Sequence, residues 1–334
     1  MRRLHNWEWF IKIMKALIIG GAGFLGFYLA KRIVNAGFQV DLLDINKIDT
    51  ADWPLVELAQ NSLVRYISCD FLAVEVDNLD KDYTHIFNFA ALLGVQDVLD
   101  NPTKVLSLNI ALMQKALALA KVQKDINCFV FASTSEVYAG TLEHGSLLFP
   151  TPEDTKIVLP NLSSARSTYL LSKIYGEAFC YHSGLPFQII RPHNIYGPRM
   201  GNRHVVPQLM QQALNTKTGT LNVFSVNHTR SFCYVSDAVE MIWRLSRERR
   251  ADHEIINIGT EDEEITMAGL ANIIIDTVGR NLSISPLPAT EGSPTRRCPD
   301  MKKCLSLTQY KSLVGLKQGV SKCYAWHSKN MFSN

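Results

Sequence analysis

A chain of 334 residues, 47% hydrophobic and 19% charged, is globular and can bury a sizeable core, as one large α/β domain with an appendage or as two modest domains. The formal charge of +3 is spread along the sequence, and the basic clusters Arg2–Arg3 and Arg247–Arg250 are too short to track a phosphate backbone, so nucleic acid is not expected as a partner. No apolar run reaches about 18 residues, so no membrane span is expected either.

The N-terminal "MRRLHNWEWFIKIMKALIIGG" is basic and then apolar, but Lys12 and Lys15 break the apolar stretch and it runs straight into a glycine turn. It reads as an extension (residues 1–13) leading into a first strand, not as a signal peptide. Strand-length apolar runs follow: "KALIIG" (15–20), "QVDLLD" (39–44), "VRYISCD" (64–70), "HIFNFAA" (85–91), "CFVFAS" (128–133) and "FQIIRP" (187–192). Helix-period segments separate them, most clearly at 104–122 and 166–182. Strands apolar on both faces and alternating with helices predict a parallel, doubly wound sheet over 14–192.

Beyond residue 192 the order changes. "RPHNIYGPRMGNR" is loop-like, a helix is expected at 205–214, and "TLNVF", "RSFCYV", a helix at 237–249, "IINIG" and a helix at 266–278 come in quick succession. A smaller mixed α/β lobe is expected over 193–334, interleaved with the last elements of the sheet. The seven cysteines (69, 128, 180, 233, 298, 304, 323) are scattered and form no C-x-x-C pair. They read as reduced thiols of a cytoplasmic protein, with neither a disulfide frame nor a metal site, which makes the sequons at Asn161, Asn227 and Asn281 chance matches.

Gly20, Gly23 and Gly26 form G-x-x-G-x-x-G between the first strand and the first helix. Side-chain-free backbone there lets a pyrophosphate approach the N–H groups that open the helix, although such turns also serve packing alone. Asp44, at the end of the second strand, can accept hydrogen bonds from both hydroxyls of an adenosine ribose and would repel a 2′-phosphate, which favours NAD over NADP; an ordinary strand-end turn is its bland reading. Asp70 ends the third strand and could face an adenine amine. In "STYLLSKIYGE", Tyr169 and Lys173 stand four apart on one helical face. A phenol is a poor base at neutral pH, but a nearby ammonium favours its phenolate. Thr134, just past the fifth strand in "FASTSEVY", can share a hydrogen bond with a hydroxyl being oxidised.

With those residues in place, the chain resembles the extended short-chain dehydrogenase/reductase family, in particular its nucleotide-sugar epimerases, dehydratases and decarboxylases. The resemblance runs from about Lys15 to nearly the C-terminus. It is carried by "GGAGFLG", "FNFAA", Asn109, "STSEVY", "YLLSK", "RPHNIYGPR", "TRSFCYVSDAV", "INIGTEDEEIT" and "RRCPDMKK". It implies a Rossmann-type NAD-binding domain, an NDP-sugar substrate, oxidation at sugar C4 by a recycled NAD, and a homodimer built on the helices at 104–122 and 166–182. Tyr169 would be the general base, Lys173 would orient the ribose and lower the Tyr pKa, and Thr134 would assist at the 4-hydroxyl. Phe24, Leu25, Phe71, Ala90, Ala91 and Asn109 join the cofactor set. Asn194, Arg203, Val205, Arg230 and Arg297 join the substrate set, with Arg230 and Arg297 matching diphosphate-binding arginines.

The resemblance leaves the reaction open. Simple 4-epimerases need little beyond Tyr, Lys and Ser/Thr, whereas Ser135 and Glu136 after Thr134 resemble decarboxylases and some 4,6-dehydratases, and Arg297 falls where decarboxylases carry an arginine near the sugar carboxylate. Two departures stand out: "VYAG" where the family usually reads V-Y-G, and a short, basic "GPRMGNRHVVP" loop. His193 is a candidate site residue, with a packed or solvent-facing histidine as the expected reading. A product for cell-surface polysaccharide synthesis is expected. The other readings are a catalytically silent dinucleotide-binding relative, disfavoured by the survival of Thr134, Tyr169 and Lys173, and an NADPH-dependent ketone reductase, disfavoured by Asp44 and the arginines.

Overall fold

The computed structural model describes residues 14–290 and 294–330, so the extension expected at 1–13 lies outside the described residues. The chain enters strand β1 (Lys15–Ile19), turns into helix α1 (Phe24–Asn35), and continues through β2 (Gln39–Asp44), β3 (Val64–Ser68), β4 (His85–Asn88), β5 (Cys128–Ala132) and β6 (Phe187–Pro192). A seventh strand, Glu254–Ile258, pairs with β6, giving the order Glu254–Ile258, β6, β5, β4, β1, β2, β3 with every pairing parallel.

The side-chain period of two explains the apolar runs. Ala16 and Ile18 enter one core cluster with Phe27, Leu29 and Trp243, while Leu17 and Ile19 enter the other with Phe129, Met113 and Leu117. Ile18 and Ile19 are both fully buried, each contributing about 1.5–3 kcal/mol. The helices Pro102–Lys121 and Arg166–Tyr181 pack together on the second face, and the helix Val235–Leu245 packs on α1 on the first.

The structure corrects one strand and one helix. "RSFCYV" is not a single strand. Thr229–Arg230 pairs with Ile265–Thr266 and Arg296–Arg297, and Cys233–Tyr234 pairs with Ile195–Tyr196, because Ser231 N bonds Arg297 O while Cys233 N reaches Asn194 O on the other side. The helix expected at 237–249 runs from Val235 to Leu245, with Ser246 as its C-cap and Arg249–Ala251 as a separate turn.

A buried clamp joins β5, β6 and the helix Arg166–Tyr181. Arg191 is 2% exposed and donates twice to Glu177 (Nε 2.9 Å, Nη2 2.6 Å), and Ser133 donates to the same carboxylate at 2.5 Å. Removing one partner of such a pair strands a buried charge and costs about 3–5 kcal/mol. The clamp fixes the end of β5 against the helix that carries Tyr169 and Lys173.

Candidate active site

The chain leaves β1 toward β2 and returns through β4 on β1's other side, and the crevice at such a switch point is where open parallel sheets take ligands. Gly20 opens the turn there with φ +85°, and a Cβ on it would lie 2.8 Å from Ala90 N. A Cβ on Gly26 would lie 2.5 Å from Gly20 O, so the turn and α1 are packed to backbone contact. Gly23 is the N-cap of α1, and the first-turn N–H groups of Phe24, Leu25 and Gly26 have no acceptor within the helix. Asp44 accepts from Ala22 N through Oδ2 and from both N and Nδ2 of Asn46 through Oδ1, all at 3.0 Å. A carboxylate has about four acceptor directions, so one is left for a further donor. These residues fit a dinucleotide: backbone donors for the pyrophosphate and a carboxylate for the ribose.

The remaining expected cofactor residues are less uniform. Ala90 and Ala91 follow β4, half-buried beside the glycine turn. Asp70 is exposed and accepts from Leu72 N at 2.9 Å, and the buried Phe71 lies 5.8 Å below Lys115 Nζ. Asn109 holds Leu92 through N–H and C=O bonds of 2.7 and 3.1 Å and donates to Ser172 Oγ at 3.2 Å, so in this structure it pins the loop after β4. Sequence reasoning missed Arg199. It pairs with Asp52, donates to Ala22 O at 3.1 Å and thereby ties the "GPR" segment to the glycine turn. Its position inside a quoted motif was the available signal.

Tyr169 and Lys173 do share a helical face, with Nζ 5.8 Å from the phenol ring centre and 5.0 Å from the Phe131 ring. Nζ donates to Ala132 O, the last residue of β5, at 2.7 Å. Burial pushes Lys173 down to about 8, with Glu177 opposing, so it is still mainly ammonium at neutral pH. The phenol moves the other way: burial and then Glu136 push Tyr169 up to about 12, against a hydrogen bond from Thr134. The protein's own groups therefore keep Tyr169 protonated, and its activation needs further positive charge. Thr134 also caps the turn Ser135–Tyr138 by accepting from Glu136 N at 3.2 Å, which aims that turn across the site.

Opposite this turn lies the strand Arg296–Arg297. Arg297 Nη2 donates to Glu136 Oε1 at 2.6 Å and its Nη1 lies 3.4 Å from Asn194 Oδ1. Burial alone would raise the Glu136 carboxyl, but Arg297 outweighs it, with Arg166 and Arg230 adding, and holds it below the usual range. Arg166 is a further contributor that the motifs did not single out. Asn194 takes φ 43°, a left-handed conformation asparagine tolerates, and donates to Ser231 O at 2.9 Å. Arg230 is 7% exposed; burial, then Arg297, push it down to about 10, still cationic at neutral pH. Asn194, Arg203, Val205 and Arg230 line one cavity of about 310 Å³ together with Gln208, Gln212 and Phe224. Arg296, by contrast, is committed to Glu264 at 2.7 and 2.8 Å.

A dinucleotide crevice on a doubly wound sheet, joined to a Tyr–Lys pair and an arginine-lined cavity, defines a nucleotide-cofactor oxidoreductase scaffold with a second, anionic ligand. The sequence matches the NAD dependent epimerase/dehydratase family over residues 16–259, and the chain belongs to that family, with NAD as its cofactor. It is similar to the UDP-N-acetyl-alpha-D-glucosaminuronate decarboxylase of Bacillus cytotoxicus, at 30% identity over 93% of this chain and 97% of the relative. It is also similar to UDP-glucuronic acid decarboxylase 6 of Arabidopsis thaliana, at 30% identity over 95% and 90%. Among solved structures, the UDP-glucuronic acid 4-epimerase of Bacillus cereus, in complex with UDP-glucuronic acid and NAD, superposes with a TM-score of 0.83 at 25% identity, covering 95% of this chain and 99% of that one.

Proposed function

We propose that this enzyme decarboxylates a UDP-glucuronate-type sugar nucleotide through a 4-keto intermediate. The observation that carries the reading is the Arg297–Glu136 pair at 2.6 Å, beside Asn194, on the turn that Thr134 caps and close enough to Tyr169 for Glu136 to push that phenol up. The relatives at 30% identity that span nearly the whole chain are decarboxylases of UDP-hexuronates, which supports it.

In this reading Gly20, Gly23, Phe24, Leu25, Gly26 and Asp44 hold the dinucleotide, with Asp70, Phe71, Ala90, Ala91 and Asn109 around it. The lobe at 193–334 takes the sugar nucleotide, its diphosphate at Arg230 and Asn194 and its nucleoside toward Arg203 and Val205. Bound there, NAD would accept a hydride from sugar C4 and later return it. Tyr169 removes the C4 hydroxyl proton, with Thr134 sharing the hydrogen bond and the Lys173 ammonium, joined by the positive charge the bound cofactor would add, favouring the phenolate. A C4 ketone with a C6 carboxylate is a β-keto acid: the C5–C6 bond breaks, its electron pair moves toward the C4 oxygen, carbon dioxide leaves and C5 takes a proton from solvent, after which Tyr169 gives its proton back to the C4 oxygen as the ketone is reduced.

Arg297 binds the carboxylate, and Glu136 keeps that arginine partly neutralised. The departing carboxylate is then not held more tightly in the ground state than in the transition state, where its charge has moved away. As an anion, Glu136 is a charge or a base at neutral pH and not a proton donor.

C4 epimerisation of the same substrate is the second reading, favoured by the Bacillus cereus epimerase's likeness and by the sufficiency of Thr134, Tyr169 and Lys173 for it. The seven cysteines, all free thiols, support a cytoplasmic setting, and a role in surface polysaccharide precursors follows from the product class. Among the described residues no helix is long and apolar enough to cross a membrane. A homodimer through the helices Pro102–Lys121 and Arg166–Tyr181 is part of the proposal, supported by the half-exposed Tyr175 on the latter. The test is incubation with UDP-glucuronate, UDP-glucose and dTDP-glucose, with products read by mass. Loss of carbon dioxide supports the proposal; unchanged mass with altered retention means epimerisation, and loss of water means dehydration.

A further inference from the structure

The hydrogen bonds around Asn257 fix a histidine tautomer. Asn257 Nδ2 donates to Thr151 O at 2.9 Å and points toward Asp300 O at 3.4 Å, both pure acceptors, so Oδ1 is the atom that faces Tyr138 Oη (3.2 Å) and His193 Nε2 (3.0 Å). An amide oxygen only accepts. The ring proton of His193 therefore sits on Nε2, and Nδ1 carries a lone pair. The support behind is rigid: Arg191 Nη1 donates to Tyr138 Oη at 2.7 Å, and Arg191 is itself held by Glu177.

His193 is 1% exposed, and its Nδ1 has no hydrogen-bond partner among the described residues. Burial pushes the imidazole down to about 3, so the ring is uncharged at pH 7. His193 shares the wall of a cavity of about 20 Å³ with Ser135, Tyr138, Phe149, Thr151 and Arg297. One water needs about 10–15 Å³ of such volume, so there is space for one hydroxyl-sized group and none for a sugar ring.

We infer that His193 Nδ1 opens on this cavity and that the cavity is a subsite for one hydroxyl-type donor, either an ordered water or a hydroxyl of the bound sugar. The donor gives its proton to the Nδ1 hydrogen bond, and its oxygen accepts from Ser135 or Arg297. A carboxylate does not fit, because its lone pairs would meet that of Nδ1 with no hydrogen between them. The sugar-hydroxyl arm rests on the function proposed above; the tautomer and the water arm do not.

The test is nitrogen-15 NMR of the histidine rings at neutral pH, with His193 assigned by the signals that vanish in His193→Gln. Spectra are taken of Tyr169→Phe protein alone and with saturating UDP-glucuronate, the variant preventing turnover. The expected result is a pyrrole-type Nε2 and a pyridine-type Nδ1 displaced upfield by accepting a hydrogen bond. Displacement before UDP-glucuronate is added identifies a water, and displacement only afterwards a sugar hydroxyl. A protonated Nδ1 in either state, or an Nδ1 at the unbonded position in both, overturns the inference. If none of the nine histidines responds to UDP-glucuronate, that counts against the proposed substrate, and the spectrum without it decides the subsite.

Discussion

The Glu136 carboxylate and the Arg297 guanidinium, 161 residues apart in the chain, meet at 2.6 Å between the turn after β5 and the strand Arg296–Arg297. If that pair sets how tightly the sugar carboxylate is held, removing the anion has a particular signature. Glu136→Gln frees Arg297 to bind the substrate carboxylate fully. The expected outcome is kcat for UDP-glucuronate reduced about tenfold or more with KM unchanged or lower. Steady-state kinetics check it; a rise in KM at constant kcat contradicts it.

Arg297→Met tests the other partner. Losing one charge-assisted hydrogen bond costs about 1.5–3 kcal/mol, so kcat/KM for UDP-glucuronate should fall about 10- to 150-fold. The Kd of UDP-xylose, which has no carboxylate, should change far less, as isothermal titration would show.

Gly20 and Tyr169 separate cofactor binding from chemistry. Gly20→Ala adds a Cβ at φ +85° that would lie 2.8 Å from Ala90 N, so the purified protein should carry several-fold less NAD. Tyr169→Phe should retain NAD and lose turnover by about a hundredfold or more. In NAD-free protein, ultraviolet titration should show no phenolate from Tyr169 near neutral pH, since burial and Glu136 push it up to about 12. Loading NAD should bring that titration to lower pH through the positive charge the cofactor adds; a titration unmoved by NAD contradicts this.

Acid stability follows from buried neutral histidines. Burial pushes His85 down to about 4, with Nε2 3.1 Å from Ser246 O, and His193 down to about 3. Both folded values lie below the unfolded value of about 6.5, so the unfolded chain binds more protons in between. Stability is fully present above about pH 6.5 and is lost as pH falls toward the folded values, by at most about 1.4 kcal/mol per pH unit for each histidine. Thermal melts should show that slope, and His85→Gln should flatten it; an unchanged slope contradicts the assignment.

The sheet was legible because strands such as β1 are buried on both faces, so Leu17 and Ile18 look alike in sequence while facing opposite cores. The Tyr169–Lys173 pair was legible because one helix carries both. The Glu136–Arg297 pair was not, since only the fold brings the two together, and the same holds for Arg199 with Asp52 and Ala22. The helix Leu316–Asn330 was missed: its buried positions Leu316, Gly319, Val320, Cys323 and His327 have helical spacing, but only Leu316 and Val320 are strongly apolar. The displaced glycine of "VYAG" has a local reason: Gly140 lies in the helix Ala139–Glu143, where a Cβ would collide with the Val158 carbonyl oxygen.

The most direct measurement is the mass and deuterium content of the product formed from UDP-glucuronate in deuterium oxide. Decarboxylation predicts a UDP-pentose that has lost carbon dioxide and gained one solvent deuterium, at C5. A product of unchanged carbon count, with or without deuterium, would contradict it.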